Sequence, residues 1–461
     1  MKLNKHLKQS FFILTEESFV FASLIKWVFL SAFIGTIIGF AVNFFLYSLD
    51  TTIAFGTKTP YFYFALPFIF VLNRLITRFI SPDSAGHGTE KIIKAVHKRA
   101  GDMRFRVVPI KFFMTLITLG AGGSVGKEGP SAQIGAALSS TIAKWCRFSK
   151  EDRKKLVICG VSAGFAAVFG TPIAGAIFGV ELLFVGKLIY GFLLPSLISG
   201  IVSYHVSHYF GAHPEFIQVI SVSETSLFLF AKVIFAALLF GLGCIFFIES
   251  MRFFHFLAKK LSIFPYLSAF LAALVVICVY LLSDITLWGL GTHEIEAALQ
   301  GNSFSLAAPF LKTFVTAVTL HFGGSGGILT PILFVGSTFG SVIGNLLSAD
   351  VTLFAALGLV SFLAGTANTP IASCLLAIEL FGTSIAPFAC ISCILSFLVS
   401  GYRSVYPAQI MSIQKTHHSH INLGESISKQ QPHLSVKSLR TLSKSKRLFK
   451  EFKSKVKLNL F

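Results

Sequence analysis

The chain has 461 residues, of which 54% are hydrophobic and only 13% charged, with a net charge of +19. Soluble domains carry about 25% charged residues, so this composition excludes an ordinary water-soluble protein of this length. The positive charge is concentrated in a few stretches, which excludes a uniformly basic nucleic-acid-binding surface.

In chain order, the N-terminus is polar and basic, with Lys2, Lys5 and Lys8. No cleavable signal peptide is evident, because Glu16 and Glu17 interrupt the first apolar segment. Apolar runs follow at 28–46 and 61–71, and later at 233–248, 266–282 and 389–399. A membrane span needs roughly 20 apolar residues, fewer where a helix stops inside the bilayer. Basic clusters at 91–106 and 144–155 read as cytoplasmic loops under the positive-inside rule. Beyond residue 412 the chain turns polar and basic, from Lys415 through Arg440, Lys444, Arg447, Lys450 and Lys457. This segment, 413–461, is expected to be a disordered cytoplasmic tail touching anionic lipid rather than nucleic acid. With residues 1–24 on the same side, both termini are cytoplasmic and the crossings are even in number. Seven cysteines are scattered, and Cys390 and Cys393 fall in an apolar run as helix filler. No spacing suits a metal, and no cofactor is implied.

The chain repeats itself at an offset of about 200 residues. Gly86-His87-Gly88-Thr89 returns as Gly289-Leu290-Gly291-Thr292, and Lys111 returns as Lys312. The pattern G-G-S-x-G-x-x-x-P occurs at Gly122–Pro130 and again at Gly323–Pro331. Thr171-Pro172-Ile173-Ala174 with Glu181-Leu182 returns as Thr369-Pro370-Ile371-Ala372 with Glu379-Leu380. Repeat one covers about 25–205 and repeat two about 225–412. An odd number of crossings in each half inverts one against the other, and such interfaces hold transporter substrates. A glycine break followed by a proline interrupts a helix and restarts it. Non-helical backbone at membrane depth is tolerated only inside protein or beside a cavity. The exposed N–H groups at a restarted helix attract anions. Ser124 and Ser325 sit in these turns without a placed histidine partner, since His321 precedes the second turn, so an enzyme is not expected. A cation/proton antiporter of another inverted-repeat fold would need Asp or Asn pairs in broken helices, and none is present.

Over residues 25–412 these motifs resemble the CLC family of chloride channels and chloride/proton exchangers. Gly126-Lys127-Glu128-Gly129-Pro130 matches the family's G-K/R-E-G-P. Gly327-Ile328-Leu329-Thr330-Pro331 matches G-x-F-x-P with Leu in the aromatic place, and Tyr406 matches the tyrosine after the last helix. Gly86-His87-Gly88 only partly matches G-S-G-I-P. The resemblance implies an all-α membrane fold of two inverted repeats with tilted and half-length helices, assembled as a homodimer in a bacterial inner membrane. It implies transport of chloride or a related anion, by exchange with protons or by gated conduction, with fluoride as the alternative anion. Glu128 would be the gate, competing with the anion for the same amide donors and leaving when protonated. Gly86, His87, Gly88, Gly126, Lys127, Gly129, Gly327, Ile328, Leu329 and Tyr406 would form the anion path. Ile328 and Leu329 would give backbone N–H groups and Tyr406 its hydroxyl. Two departures stand out. His87 replaces the chloride-selecting serine, which opens the choice of anion. Leu182 replaces the inner glutamate that relays protons in many exchangers, which leaves Glu181 as the nearest carboxylate for a proton route.

Overall fold

The computed structural model describes residues 2–212, 216–220, 222, 226–415, 419–430 and 433–434, with side chains from residue 17 onward except at 419–420 and 433–434. Arg440 and the basic residues after it lie outside the described residues.

Sixteen α-helices among the described residues divide into two sets of eight in matching order. The first set is α1 (Lys2–Thr57), α2 (Leu66–Phe79), α3 (Thr89–Lys98), α4 (Val107–Gly120), α5 (Glu128–Trp145), α6 (Lys150–Phe169), α7 (Pro172–Glu181) and α8 (Tyr190–Tyr209). The second is α9 (Leu227–Lys260), α10 (Pro265–Leu282), α11 (Thr292–Leu299), α12 (Ala307–Phe322), α13 (Leu329–Leu346), α14 (Val351–Ala367), α15 (Pro370–Phe381) and α16 (Ala386–Val399). The fold is the all-α arrangement of two inverted repeats that the motifs imply. Two strand pairs, each strand two residues long, are the only sheets among the described residues.

Helix length follows from composition. The apolar part of α1, Glu17–Thr57, has 41 residues and reaches ~60 Å at 1.5 Å per residue. That exceeds a hydrocarbon core of about 30 Å, so such a helix tilts or protrudes. By contrast α7 and α15 have 10 and 12 residues, roughly 15 and 18 Å, and stop inside the membrane. Among the described residues, five helices are long and apolar enough to cross it. Exposed Phe29, Phe33, Phe44, Phe235 and Leu267 on α1, α9 and α10 face lipid.

The centre is built from α5, α6, α13 and α14, which are almost wholly buried. Small residues allow this. Gly135 on α5 meets Gly160 on α6, and Gly336 on α13 meets Gly358 on α14, so closely that a Cβ at any of them would strike the facing backbone. Membrane helices gain little from burying apolar surface against each other, so close backbone packing supplies the attraction.

The expected boundary at residue 412 falls inside packed structure. Ile410–Met411 pairs in parallel with Phe184–Val185. Ile421 and Ile427 form a small apolar cluster with Val185, Phe397 and Met411. The Lys415 ammonium donates to the Asn368 side chain and the Phe397 carbonyl, each at 2.7 Å. The polar look of this segment hid the fact that its few apolar residues are spaced to pack.

Candidate functional site

The two glycine breaks meet. In each, the first free amide turns back on its own helix: Gly123 N–H donates to Thr118 O at 2.8 Å and Gly324 N–H to Thr319 O at 2.7 Å. The chains then cross, and Gly126 and Gly327 exchange both backbone hydrogen bonds, at 2.7 and 2.5 Å, as an antiparallel bridge. Equivalent residues paired in this way lie on a local two-fold axis. Glycine is required at Gly327, where a Cβ would sit 2.8 Å from the Gly129 nitrogen. The repeated serines tie each break to the other repeat: the Ser124 hydroxyl bonds the Thr316 hydroxyl at 2.8 Å, and Ser325 N–H donates to the Thr118 hydroxyl at 3.2 Å. Helices α5 and α13 therefore start side by side. Pro130 and Pro331 fall in their first turns, where a missing N–H costs nothing.

Glu128, at the first residue of α5, is 2% exposed. Its carboxylate crosses to the other repeat, accepting from Thr330 N–H at 3.2 Å and from the Thr330 hydroxyl at 2.6 Å. A carboxylate here is an anion held by the amide end of a helix. The donor observed is Thr330, which lies between Leu329 and Pro331 in the motif and was not among the sequence candidates. Its hydroxyl was the available signal, because its counterpart in repeat one is Gly129, which has no side chain. Leu329 is buried at the helix start, while Ile328 lines the cavity described next.

On the other side of this junction, Gly86 and Gly88 adopt φ of 75° and 84°, a region that only glycine enters freely. They turn the chain into α3. The buried Lys111 ammonium clamps that turn through the Gly86 carbonyl at 2.5 Å. Its twin Lys312 clamps the matching turn through Leu287 O and Gly289 O at 2.9 and 3.0 Å. Tyr406 is fully buried, and its ring lies 5.3 Å from the His87 ring, centre to centre. The hydroxyl of Thr89 lies beside that of Tyr406. Tyr406 Oη, Thr89 Oγ1 and His87 Nδ1 have no hydrogen-bond partner in the protein. Buried polar groups are costly when unpaired, so three neighbouring unpaired groups mark a place built for a polar occupant.

His87 opens onto a cavity of about 370 Å³. Arg74, Lys91, Lys94, Arg252, His255 and His321 line it, and Glu90 is the one carboxylate among the lining residues. The four permanent cations of this wall, Arg74, Lys91, Lys94 and Arg252, concentrate anions, and the two histidines add no fixed charge. Lys127 faces a separate cavity of about 480 Å³, with Asn43, Asp50 and Glu296. That cavity lies toward the end of α1 remote from the basic loop at 144–155, where Lys26 pairs with Asp152 at 2.9 Å.

Glu181 is elsewhere. Its two oxygens accept Ile371 N–H at 3.1 Å and Ala372 N–H at 2.8 Å, at the start of α15. Glu379 does the same for Ile173 and Ala174 at the start of α7, at 3.0 and 2.7 Å. Neither carboxylate lines either cavity, and Leu182 is buried.

A family model described as voltage gated chloride channel matches residues 68–401. A chloride/fluoride channel protein of Pseudomonas syringae pv. tomato is 32% identical over 406 residues, covering 85% of this chain and 88% of that protein. A voltage-gated ClC-type chloride channel ClcB of Escherichia coli O17:K52:H18 is 28% identical over 65% of this chain and 74% of its own. Among solved structures, a CLC-type fluoride/proton antiporter superposes with a TM-score of 0.80 at 27% identity, over 84% of this chain and 98% of that one. A slow cyanobacterial Cl−/H+ antiporter shares the fold, with a TM-score of 0.72 at 20% identity over 81% and 94%.

Proposed function

Because the chain belongs to the CLC family of voltage-gated chloride channels, and is thus an integral membrane protein that transports anions, we propose that it exchanges chloride for protons with Glu128 as the moving gate. The observation that carries this reading is the Glu128 carboxylate resting on the Thr330 amide and hydroxyl. Those donors serve the carboxylate or an anion, but not both. Protonation removes the carboxylate's charge, weakens its hold and frees the donors. Below Glu128, the Tyr406 and Thr89 hydroxyls supply further donors along the anion's path.

The test is flux from proteoliposomes with anion and pH recorded together. Glu128→Gln imitates the protonated gate. Anion flux should rise and lose its dependence on pH, and proton movement should cease. Unchanged flux with unchanged pH dependence would refute the gate.

Fluoride as the carried anion is a second reading, favoured by His87 in the place of the family's serine. The 32% identical relative is a chloride/fluoride channel protein, and the 27% identical solved structure is a CLC-type fluoride/proton antiporter. Parallel efflux of chloride and fluoride decides between them. We further propose a homodimer in a bacterial inner membrane with both termini cytoplasmic. Support comes from the lipid-facing apolar surface and from the basic loops at 91–106 and 144–155. The basic residues past Lys415 are proposed to meet anionic lipid there.

A further inference from the structure

Proton exchange needs a way for the proton to pass between Glu128 and the far side of the membrane, and neither position 182 nor its neighbour Glu181 offers one. Leu182 has no titratable group, and both oxygens of Glu181 cap α15. We infer that three histidines, His87, His321 and His255, form a proton relay along the wall of the 370 Å³ cavity, an inference that rests on the exchanger reading above.

The geometry forms a line. The Tyr406 hydroxyl is an electrostatic neighbour of Glu128 and lies beside the Thr89 hydroxyl. Tyr406 packs on His87 at 5.3 Å between ring centres. His87 and His321 line the same cavity and are electrostatic neighbours. His321, at the end of α12, packs edge to face on His255 of α9 at 5.3 Å. His255 is exposed at the cavity mouth, whereas His87 and His321 are partly buried. Four atoms on this line lack a partner: Tyr406 Oη, Thr89 Oγ1, His87 Nδ1 and His321 Nε2. A histidine that serves only packing would have no need to leave a buried ring nitrogen unpaired.

The proton count balances. The Glu128 carboxyl gives its proton to one hydroxyl as the hydroxyl pair hands its own to His87 Nδ1. His87 takes a proton on Nδ1 and releases one from Nε2, while His321, whose ring is also hydrogen-bonded to the Met251 carbonyl, takes a proton on Nε2 and hands it on to His255 from the same atom, so no net charge stays behind. The groups facing the relay are Glu90, 3.8 Å from His87 Nε2, with Lys91 and Lys94 on the same helix and Lys111 from α4. Arg74 of α2 donates to the His321 carbonyl at 2.6 Å, and Arg252 of α9 lines the same wall. Glu90 is the counter-charge for a transient imidazolium, and the cations hold the anion in the same cavity.

The experiment measures anion and proton flux together in proteoliposomes, with chloride and with fluoride as the driving anion. In His321→Gln, proton flux should fall at least tenfold while anion flux stays within about twofold. In His255→Gln, at an exposed position that the fold does not depend on, proton flux should fall severalfold and recover when free imidazole is supplied at the cavity side. An unchanged ratio of protons to anions in both variants, or absence of recovery with imidazole, would overturn the relay. If the wild-type protein moves anions without moving protons, the exchanger reading fails first and the relay falls with it. That outcome is read before any variant is made.

Discussion

Glu128 and Thr330 are 202 residues apart in the chain and share a 2.6 Å hydrogen bond. That bond is charge-assisted, and such bonds contribute about 1.5–3 kcal/mol. Thr330→Val keeps the shape and the backbone donor but removes the hydroxyl. If Glu128 is the gate as proposed, it should then leave its seat more readily, raising anion flux at neutral pH by roughly tenfold, the equivalent of about 1.4 kcal/mol. Efflux measured across pH checks this. A variant with wild-type rate and wild-type pH profile would show that the amide alone holds the gate. Glu128 was readable because an acidic residue in a glycine turn between apolar runs has few other uses. Thr330 was not, because its importance lies in which residue reaches it from the other repeat.

At the scale of the element, α7 and α15 are too short to span, and the first amides of each need acceptors from outside the helix. Each is capped by the carboxylate that the other repeat supplies, Glu379 for α7 and Glu181 for α15. The matched T-P-I-A and E-L spacing announced two equivalent helices. It did not announce that each glutamate serves the partner helix rather than its own, because that depends on the two-fold relation between halves. Glu379→Ala leaves the Ile173 and Ala174 amides without acceptors, and an unpaired donor at the buried Ala174 costs about 1–3 kcal/mol. We expect a lower unfolding temperature in detergent and an unchanged ratio of protons to anions in the folded fraction, since Glu379 lines neither cavity. A changed ratio at wild-type stability would place this carboxylate in the transport path.

For the whole molecule, the question is where the packed unit ends. Lys415 is fastened to Asn368 and Phe397, and Ile427 sits in the cluster around Met411. A chain ending at residue 434 should keep its flux per folded protein, whereas one ending at residue 414 should lose thermal stability and yield. Size-exclusion profiles and unfolding curves of the two truncations distinguish them. Equal stability would mean that the segment 415–430 contributes nothing to the fold.

Membrane embedding, the two repeats and the positions where helices break were all determined by the sequence alone. These are properties of local composition, or of one segment resembling another, and both are carried along the chain. The tertiary structure decided which atoms meet: Glu128 with Thr330, Glu181 with α15, and His87, His321 and His255 around one cavity. Those pairings join residues that stand far apart in the chain, up to about 230 positions. They exist because folding two inverted halves about a common axis brings unrelated stretches within hydrogen-bond reach, where a distance of a few tenths of an ångström separates a held proton from a free one.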